Sequence, residues 1–247
     1  MKCIILAAGY ATRLYPLTEN FPKPLLKVKG RTILDWLIDD IESSGIADEF
    51  IVISNHRFYN HFLEWSKTRE TAITVIDDKT ETNETRLGAV CDIQFAIDEL
   101  GIDSDSLIIA GDNLLDFSLV RFIKYALGKN SSCIMRYFEP SREKLLKCGV
   151  VTVDSDDKVL KMTEKSSAPE TNWCCPPFYY YTRDDLKLVK TALESGCKKD
   201  APGSFAAWLC EKSDVYAMEM PGKRYDIGTL ESYEYVQKVF DPSLISK

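Results

Sequence analysis

Apolar positions along the chain fall into short continuous runs, separated by stretches in which they recur every three or four residues. Lys2–Ala7 is such a run, stopping at Gly9, and it reads as a strand buried on both faces. A loop punctuated by Pro16, Pro22, Pro24 and Gly30 follows. Ile33, Trp36, Leu37 and Ile41 then recur at helical spacing behind Thr32, an N-cap candidate, and Gly45 closes that helix. Glu49–Ser54 and Ala72–Asp77 read as strands, with a polar-aromatic helix from about Arg57 to Lys67 between them. Ala89, Ile93, Ala96, Ile97 and Leu100 mark another helix, Ser106–Ala110 a strand, and Leu119, Phe122, Ile123 and Ala126 a further helix. Such alternation predicts an α/β fold with a doubly wound, mainly parallel, Rossmann-like sheet.

The later pattern differs. Gly149–Val153 and Val159–Glu164 flank the turn-rich Asp154–Lys158 and read as a hairpin. Phe178–Thr182 is another strand, followed by helices near Arg183–Ser195 and Ser204–Lys212, a strand near Val215–Glu219 and a terminal helix from Thr229. No internal repeat, low-complexity tract or long linker divides the sequence, so residues 1–247 are expected to form one domain carrying a smaller β-rich insertion.

Charge and composition narrow the classes. Thirty-one Lys and Arg against 38 Asp and Glu give a net charge of −7, which argues against a general nucleic-acid binder with its basic face. The longest apolar stretch, Cys3–Ala8, is far short of the roughly 20 residues that a membrane helix needs, and is shorter than the ~7–15-residue core of a signal peptide. A cytoplasmic location without membrane contact is expected. Cysteines 3, 91, 133, 148, 174, 175, 197 and 210 show no CxxC spacing and lie mostly in apolar segments, which suits reduced core thiols.

In open parallel sheets ligands bind beyond the carboxyl ends of the strands. Three segments stand there: Gly9-Tyr-Ala-Thr-Arg13 after the first strand, Gly111-Asp112-Asn113 after the fourth, and Arg224-Tyr-Asp226-Ile-Gly228-Thr near the C-terminus. The first offers a glycine, backbone N–H groups and an arginine, with Lys23 nearby between Pro22 and Pro24. Close backbone approach and fixed positive charge are what a polyphosphate needs. The spacing is neither that of a P-loop nor that of a dinucleotide fold.

Together these segments are ordered like a known signature. Leu6-Ala-Ala-Gly-Tyr-Ala-Thr-Arg-Leu-Tyr-Pro-Leu-Thr18 and Pro22-Lys-Pro-Leu-Leu26, followed by Gly111-Asp-Asn, Cys148-Gly-Val-Val151, Glu164-Lys165 and Asp226-Ile-Gly-Thr229, resemble the nucleotidyltransferases that join a nucleoside triphosphate to a sugar 1-phosphate. That resemblance implies attack of an acceptor phosphate on the α-phosphorus with loss of pyrophosphate. It assigns the leaving pyrophosphate to Arg13, the α-phosphate and incoming phosphate to Lys23, and Mg²⁺ to Asp112 and Asp226. The triphosphate and base fall to Leu6, Ala7, Gly9, Ala11, Thr12, Asn83, Gly88 and Asp112, and the acceptor to Gly149, Glu164 and Lys165. Gly88 is expected to let a flat base stack on backbone that lacks a Cβ. Residues 1–130 would then form mainly the nucleotide half and 131–247 the acceptor half. Longer relatives append helices or a left-handed β-helix; with Lys247 soon after the last helix, neither is expected, and monomer and homodimer both remain open.

Two departures matter. Ala11 replaces the usual second glycine of the first loop, which strains the chain if φ is positive there. Trp173-Cys-Cys-Pro-Pro-Phe178-Tyr-Tyr-Tyr181 replaces a glycine-rich segment, and its rings could hold an ammonium group. A cytidylyltransferase for phosphocholine or another phosphoalkylamine or phosphonate is therefore the alternative, against ordinary packing of a Tyr-rich strand. A metal-dependent glycosyltransferase would use an Asp-x-Asp triplet, but Asp103–Asp105 precedes its strand and Asp154–Asp156 sits in a turn. A non-catalytic nucleotide-sugar sensor would have no need of Arg13, Lys23, Asp112 and Asp226 together.

Overall fold

The computed structural model describes residues 1–245. Its strands of three or more residues are β1 (Lys2–Leu6), β2 (Glu49–Ser54), β3 (Ile73–Asp77), β4 (Ser106–Ala110), β5 (Asn113–Leu115), β6 (Ser132–Phe138), β7 (Gly149–Val153), β8 (Val159–Glu164), β9 (Trp173–Cys175), β10 (Phe178–Tyr181), β11 (Val215–Glu219) and β12 (Arg224–Asp226). The four longest helices are α1 (Ile33–Glu42), α2 (Ala89–Leu100), α3 (Val120–Lys129) and α4 (Leu230–Val239). The chain forms two compact units that interleave along the sequence. Among the described residues, one gathers 1–86, 110–120 and 221–245; the other gathers 87–109 and 121–220.

The first unit is built on parallel pairing. β1 runs beside β2 from Lys2↔Glu49 to Leu6↔Ile53, and β2 beside β3 from Phe50↔Ile73 to Ser54↔Asp77. Ile4, Ile5, Ile51, Val52 and Ile53 are wholly buried, as the continuous apolar runs predict, and each such side chain contributes about 1.5–3 kcal/mol of transfer free energy. α1 begins where expected: Thr32 accepts from the Asp35 N–H, and Asp35 accepts in return from the Thr32 N–H. The carboxyl ends of the strands are tied together. Ala7 N donates to Ile53 O, Asn55 Nδ2 to Ala8 O, and Asp78 N to Ser54 O.

The second unit is richer in antiparallel strands. β10 lies between β4 (Phe178↔Ile109) and β6 (Tyr179↔Ile134), β9 pairs with β6 and β7, and β7 pairs with β8 as the expected hairpin. β11 runs parallel to β6. The α/β class with a parallel core and a β-rich part thus agrees with the hydrophobic pattern. β6 is an addition that the pattern left unassigned, and the single helix expected over Arg183–Ser195 is two short ones, Arg183–Leu186 and Leu188–Glu194. Phe178, Tyr179, Tyr180 and Tyr181 are all buried, so the Tyr-rich strand is core.

A carboxylate pair around a buried lysine, and candidate active site

β5 and β12 make a short antiparallel ladder with the register Arg224↔Leu115, Tyr225↔Leu114 and Asp226↔Asn113. Two segments separated by more than a hundred residues are thereby set side by side, and Asp112 comes next to Asp226. Gly111 permits the close approach. Its N–H donates to Leu6 O, and a Cβ there would lie 3.0 Å from both Ile5 Cγ2 and Leu34 Cδ2. Asp226 does not cap the last helix; Thr229 does, with Ser232 completing the reciprocal pair.

Lys23 occupies the centre of this arrangement. Pro22 is extended and directs the chain into the one-turn helix Lys23–Leu25, where Lys23 is buried. Its Nζ lies 2.8 Å from Asp112 Oδ2 and 3.7 Å from Asp226 Oδ1. The other carboxylate oxygens also face donors: Asn113 Nδ2 donates to Asp112 Oδ1 at 2.7 Å, and Arg224 Nη1 lies 3.8 Å from Asp226 Oδ2. Arg224 also donates to Asn113 Oδ1 at 2.6 Å, locking the amide. Burial opposes ionisation of Asp112, but the Lys23 ammonium and Arg224 outweigh it and hold its carboxyl below the usual range. From sequence, Asn113 and Arg224 had a place in their segments but no role; the period-two spacing of Arg224 and Asp226 on one strand was the available signal.

The first loop carries a strained residue. Ala11 adopts φ 47° and ψ 40°, the left-handed conformation, directly before the one-turn helix Thr12–Leu14. Its carbonyl accepts from Leu14 N at 2.9 Å and from Thr18 Oγ1 at 2.8 Å, which holds the turn. The loop's missing glycine thus falls at a position that favours one. Gly9, Thr12 and Arg13 are exposed, whereas Leu14 is buried and anchors the turn.

The base-site expectations fare unevenly. Leu6 O already accepts from Gly111 N, and the Ala7 N–H is committed to Ile53 O. Asn83 is half-buried, and its carbonyl accepts from Arg86 Nη1. Gly88 has φ 97°, and a Cβ there would lie 2.7 Å from Lys199 O. The approach of the chain's own backbone is thus by itself a physical reason for glycine here, independent of the expected stacking of a base. A residue the sequence reading passed over is Asp78, just after β3. It is buried, its Oδ1 accepts from Thr80 N and Oγ1, and its Oδ2 has no partner.

In the second unit, Glu164 ends β8 opposite Gly149, the first residue of β7. Burial pushes the Glu164 carboxyl up to about 7, with the neighbouring Lys165 pulling the other way. Lys165 is exposed with φ 50°, another non-glycine residue in the left-handed region, and its N–H donates to Cys148 O. Strain of this kind concentrates at functional positions. The Asp-x-Asp triplets are structural. Asp103 pairs with Arg183 and Lys187, Asp105 accepts from Tyr180 Oη and Arg183 N, and Asp154 closes its own turn onto Asp156 N and Lys158 N. Trp173 already has the Arg136 guanidinium over its ring at 4.8 Å.

A sequence-family model described as nucleotidyl transferase matches residues 2–240. The chain belongs to this family. Among nucleotidyl transferase relatives, it is 25% identical to the bifunctional protein GlmU of Methanocaldococcus jannaschii over 96% of this chain and 54% of that protein. It is 28% identical to mannose-1-phosphate guanylyltransferase 1 of Arabidopsis thaliana, over 100% of this chain and 66% of that protein. A solved UDP-glucose pyrophosphorylase complexed with UDP-glucose shares the fold, with a TM-score of 0.78, 18% identity, and 96% of each chain covered. The chain spans about half the length of its GlmU relatives. Among the described residues no helix is long and apolar enough to cross a membrane, and all eight cysteines are free.

Among the described residues no group of three or more His, Cys, Asp or Glu could by itself hold a metal ion. The donor chemistry nevertheless suits Mg²⁺. Asp112 and Asp226 offer hard oxygens within reach of one cation, the ammonium of Lys23, and a small ion completed by phosphate oxygens and water needs only one or two carboxylates.

Proposed function

We propose that the protein transfers a nucleoside monophosphate from a nucleoside triphosphate to a sugar 1-phosphate, giving an NDP-sugar and pyrophosphate, with Mg²⁺ as cofactor. The observation that carries this reading is the buried Lys23 ammonium held between Asp112 and Asp226. In the reaction an acceptor phosphate oxygen bonds to the α-phosphorus while the α–β bridging P–O bond breaks, and pyrophosphate leaves with that electron pair. The substrate is its own nucleophile, so positioning and charge neutralisation are the protein's task.

Lys23 supplies a fixed charge for the α-phosphate and the incoming phosphate, and in the ligand-free molecule serves as counter-ion to both carboxylates. Arg13, exposed on its turn, is the residue assigned to the leaving pyrophosphate. Asp112 and Asp226 would hold Mg²⁺, which when bound neutralises phosphate charge. Glu164 and Lys165 bind the acceptor: Glu164 has no hydrogen-bond or ion-pair partner among the described residues, so its oxygens are available to hydroxyl groups. Eight free thiols suit a reducing, cytoplasmic setting. The phosphoalkylamine alternative loses its support, because the tyrosine rings are core and the Trp173 face is covered by Arg136.

A pyrophosphate-release screen tests the reading by crossing the common nucleoside triphosphates with sugar 1-phosphates and phosphoalkylamines. Release with a sugar 1-phosphate, dependent on Mg²⁺, is expected; release only with a phosphoalkylamine, or none with any acceptor, overturns it.

A further inference from the structure

Gly203 opens the short helix Gly203–Leu209, and its backbone is helical with no positive φ. Nothing in the backbone demands glycine there, and alanine is the better helix former. The side chain is excluded by something else. A Cβ at Gly203 would overlap Glu164 Oε2 and lie 3.0 Å from Glu164 Cδ, with Tyr179 Oη at 3.3 Å. On the facing strand, a Cβ at Gly149 would lie 2.6 Å from the same Oε2 and 3.0 Å from Met162 Cε. One carboxylate oxygen is therefore seated between two glycines that come from separate elements.

We propose that Gly203 is a positioning residue, which together with Gly149 forms the slot that sets where Glu164 presents its carboxylate to the acceptor. The inference rests on the reading of Glu164 as an acceptor ligand. The atom that an added methyl would meet is the far end of a flexible side chain, not backbone, so alanine at 203 displaces the carboxylate instead of the helix. The groups that face Glu164 are Lys165 beside it, and Cys148, Cys175 and Tyr179 on the strands and loop around it. Lys165 is the one cation among them.

The test uses Gly203→Ala, Glu164→Gln, Glu164→Asp and the Glu164→Asp/Gly203→Ala double variant. In protein carrying ¹³C at the glutamate carboxyl carbons, the Glu164 resonance is the one lost in Glu164→Gln. In the wild type it should titrate near 7, as burial dictates. In Gly203→Ala it should move down to the usual carboxylate range, while the melting temperature holds or rises. An unchanged titration overturns the proposal. With glucose 1-phosphate as probe, Gly203→Ala should raise the acceptor KM about tenfold or more, the scale of a small misplacement, with the triphosphate KM unmoved. In the Glu164→Asp background, whose shorter side chain clears the added methyl, the same change should raise it less than about threefold. Equal effects on both KM values, or an equal factor in both backgrounds, refute the positioning role. Glu164→Gln with an unchanged acceptor KM would instead refute the acceptor reading of Glu164, even if the titration moves as expected.

Discussion

Replacing Lys23 with methionine keeps the length and bulk of the stem and removes the charge. The ammonium lies 2.8 Å from Asp112 Oδ2 and 3.7 Å from Asp226 Oδ1, contacts that at an effective dielectric near 20 amount to about 6 and about 4 kcal/mol of attraction before desolvation. The carboxylates are 39% and 57% exposed, so water and salt recover most of this, leaving a net cost of about 1–3 kcal/mol. The sign of the metal response follows. In the wild type a divalent ion competes with a cation that is already seated, whereas in Lys23→Met the two carboxylates have lost their main counter-ion. Ligand-free Lys23→Met should therefore bind Mn²⁺ more tightly, by about tenfold if about 1.4 kcal/mol of that competition is removed. Turnover should fall by roughly 10²–10³, the effect of deleting one preorganised charge-stabilising group. Free Mn²⁺ measured by electron paramagnetic resonance during titration, beside a pyrophosphate assay, reads both quantities. Mn²⁺ affinity that is unchanged or weaker in the variant would refute the counter-ion argument.

Three further outcomes are expected. Ala11→Gly should stabilise the protein by about 0.5–1 kcal/mol in denaturant unfolding, since relief of left-handed strain of about 1–2 kcal/mol exceeds the extra unfolded-state entropy of glycine; a loss of stability contradicts it. Gly88→Ala adds a methyl against Lys199 O at positive φ and should cost about 2–3 kcal/mol, whereas an unchanged midpoint would place the helix entry differently. For Glu164, the folded protein retains its proton to about pH 7 while the unfolded chain releases it near the ordinary value of 4.5, so this group's stabilising contribution is complete below pH 4.5 and declines as pH rises toward 7. Glu164→Gln should remove that decline, gaining stability relative to wild type at pH 8 compared with pH 4; parallel pH profiles for the two proteins would count against it.

The order of strands and helices in the first unit was readable because buried parallel strands leave continuous apolar runs, as at Cys3–Leu6 and Phe50–Ile53, and because Thr32 and Gly45 punctuate α1 at its ends. β6 escaped notice because only Cys133–Met135 is apolar before Arg136 interrupts the run. Gly88 shows the limit of residue-type reasoning: its bare Cα was legible as a requirement, but the Lys199 carbonyl that imposes it lies more than a hundred residues away in sequence. Lys23, Asp112 and Asp226 were named from their places near strand ends and from the order of the motifs. What brings them together, the β5–β12 ladder, is two three-residue strands too short to leave a pattern. Gly203 left no trace, because its constraint is the tip of Glu164 and not any feature of its own segment.

The first unit holds both ends of the described chain, with residues 1–86 and 110–120 completed by 221–245. Translation delivers β1, Lys23 and Asp112 well before Arg224 and Asp226 leave the ribosome. The three-residue ladder thus acts as a completion check: a nascent or cropped chain ending before residue 221 lacks one of the two carboxylates and Arg224. On the proposed reading such a fragment would hold half of the Mg²⁺ site and should not turn over a triphosphate until the last strand has been laid down.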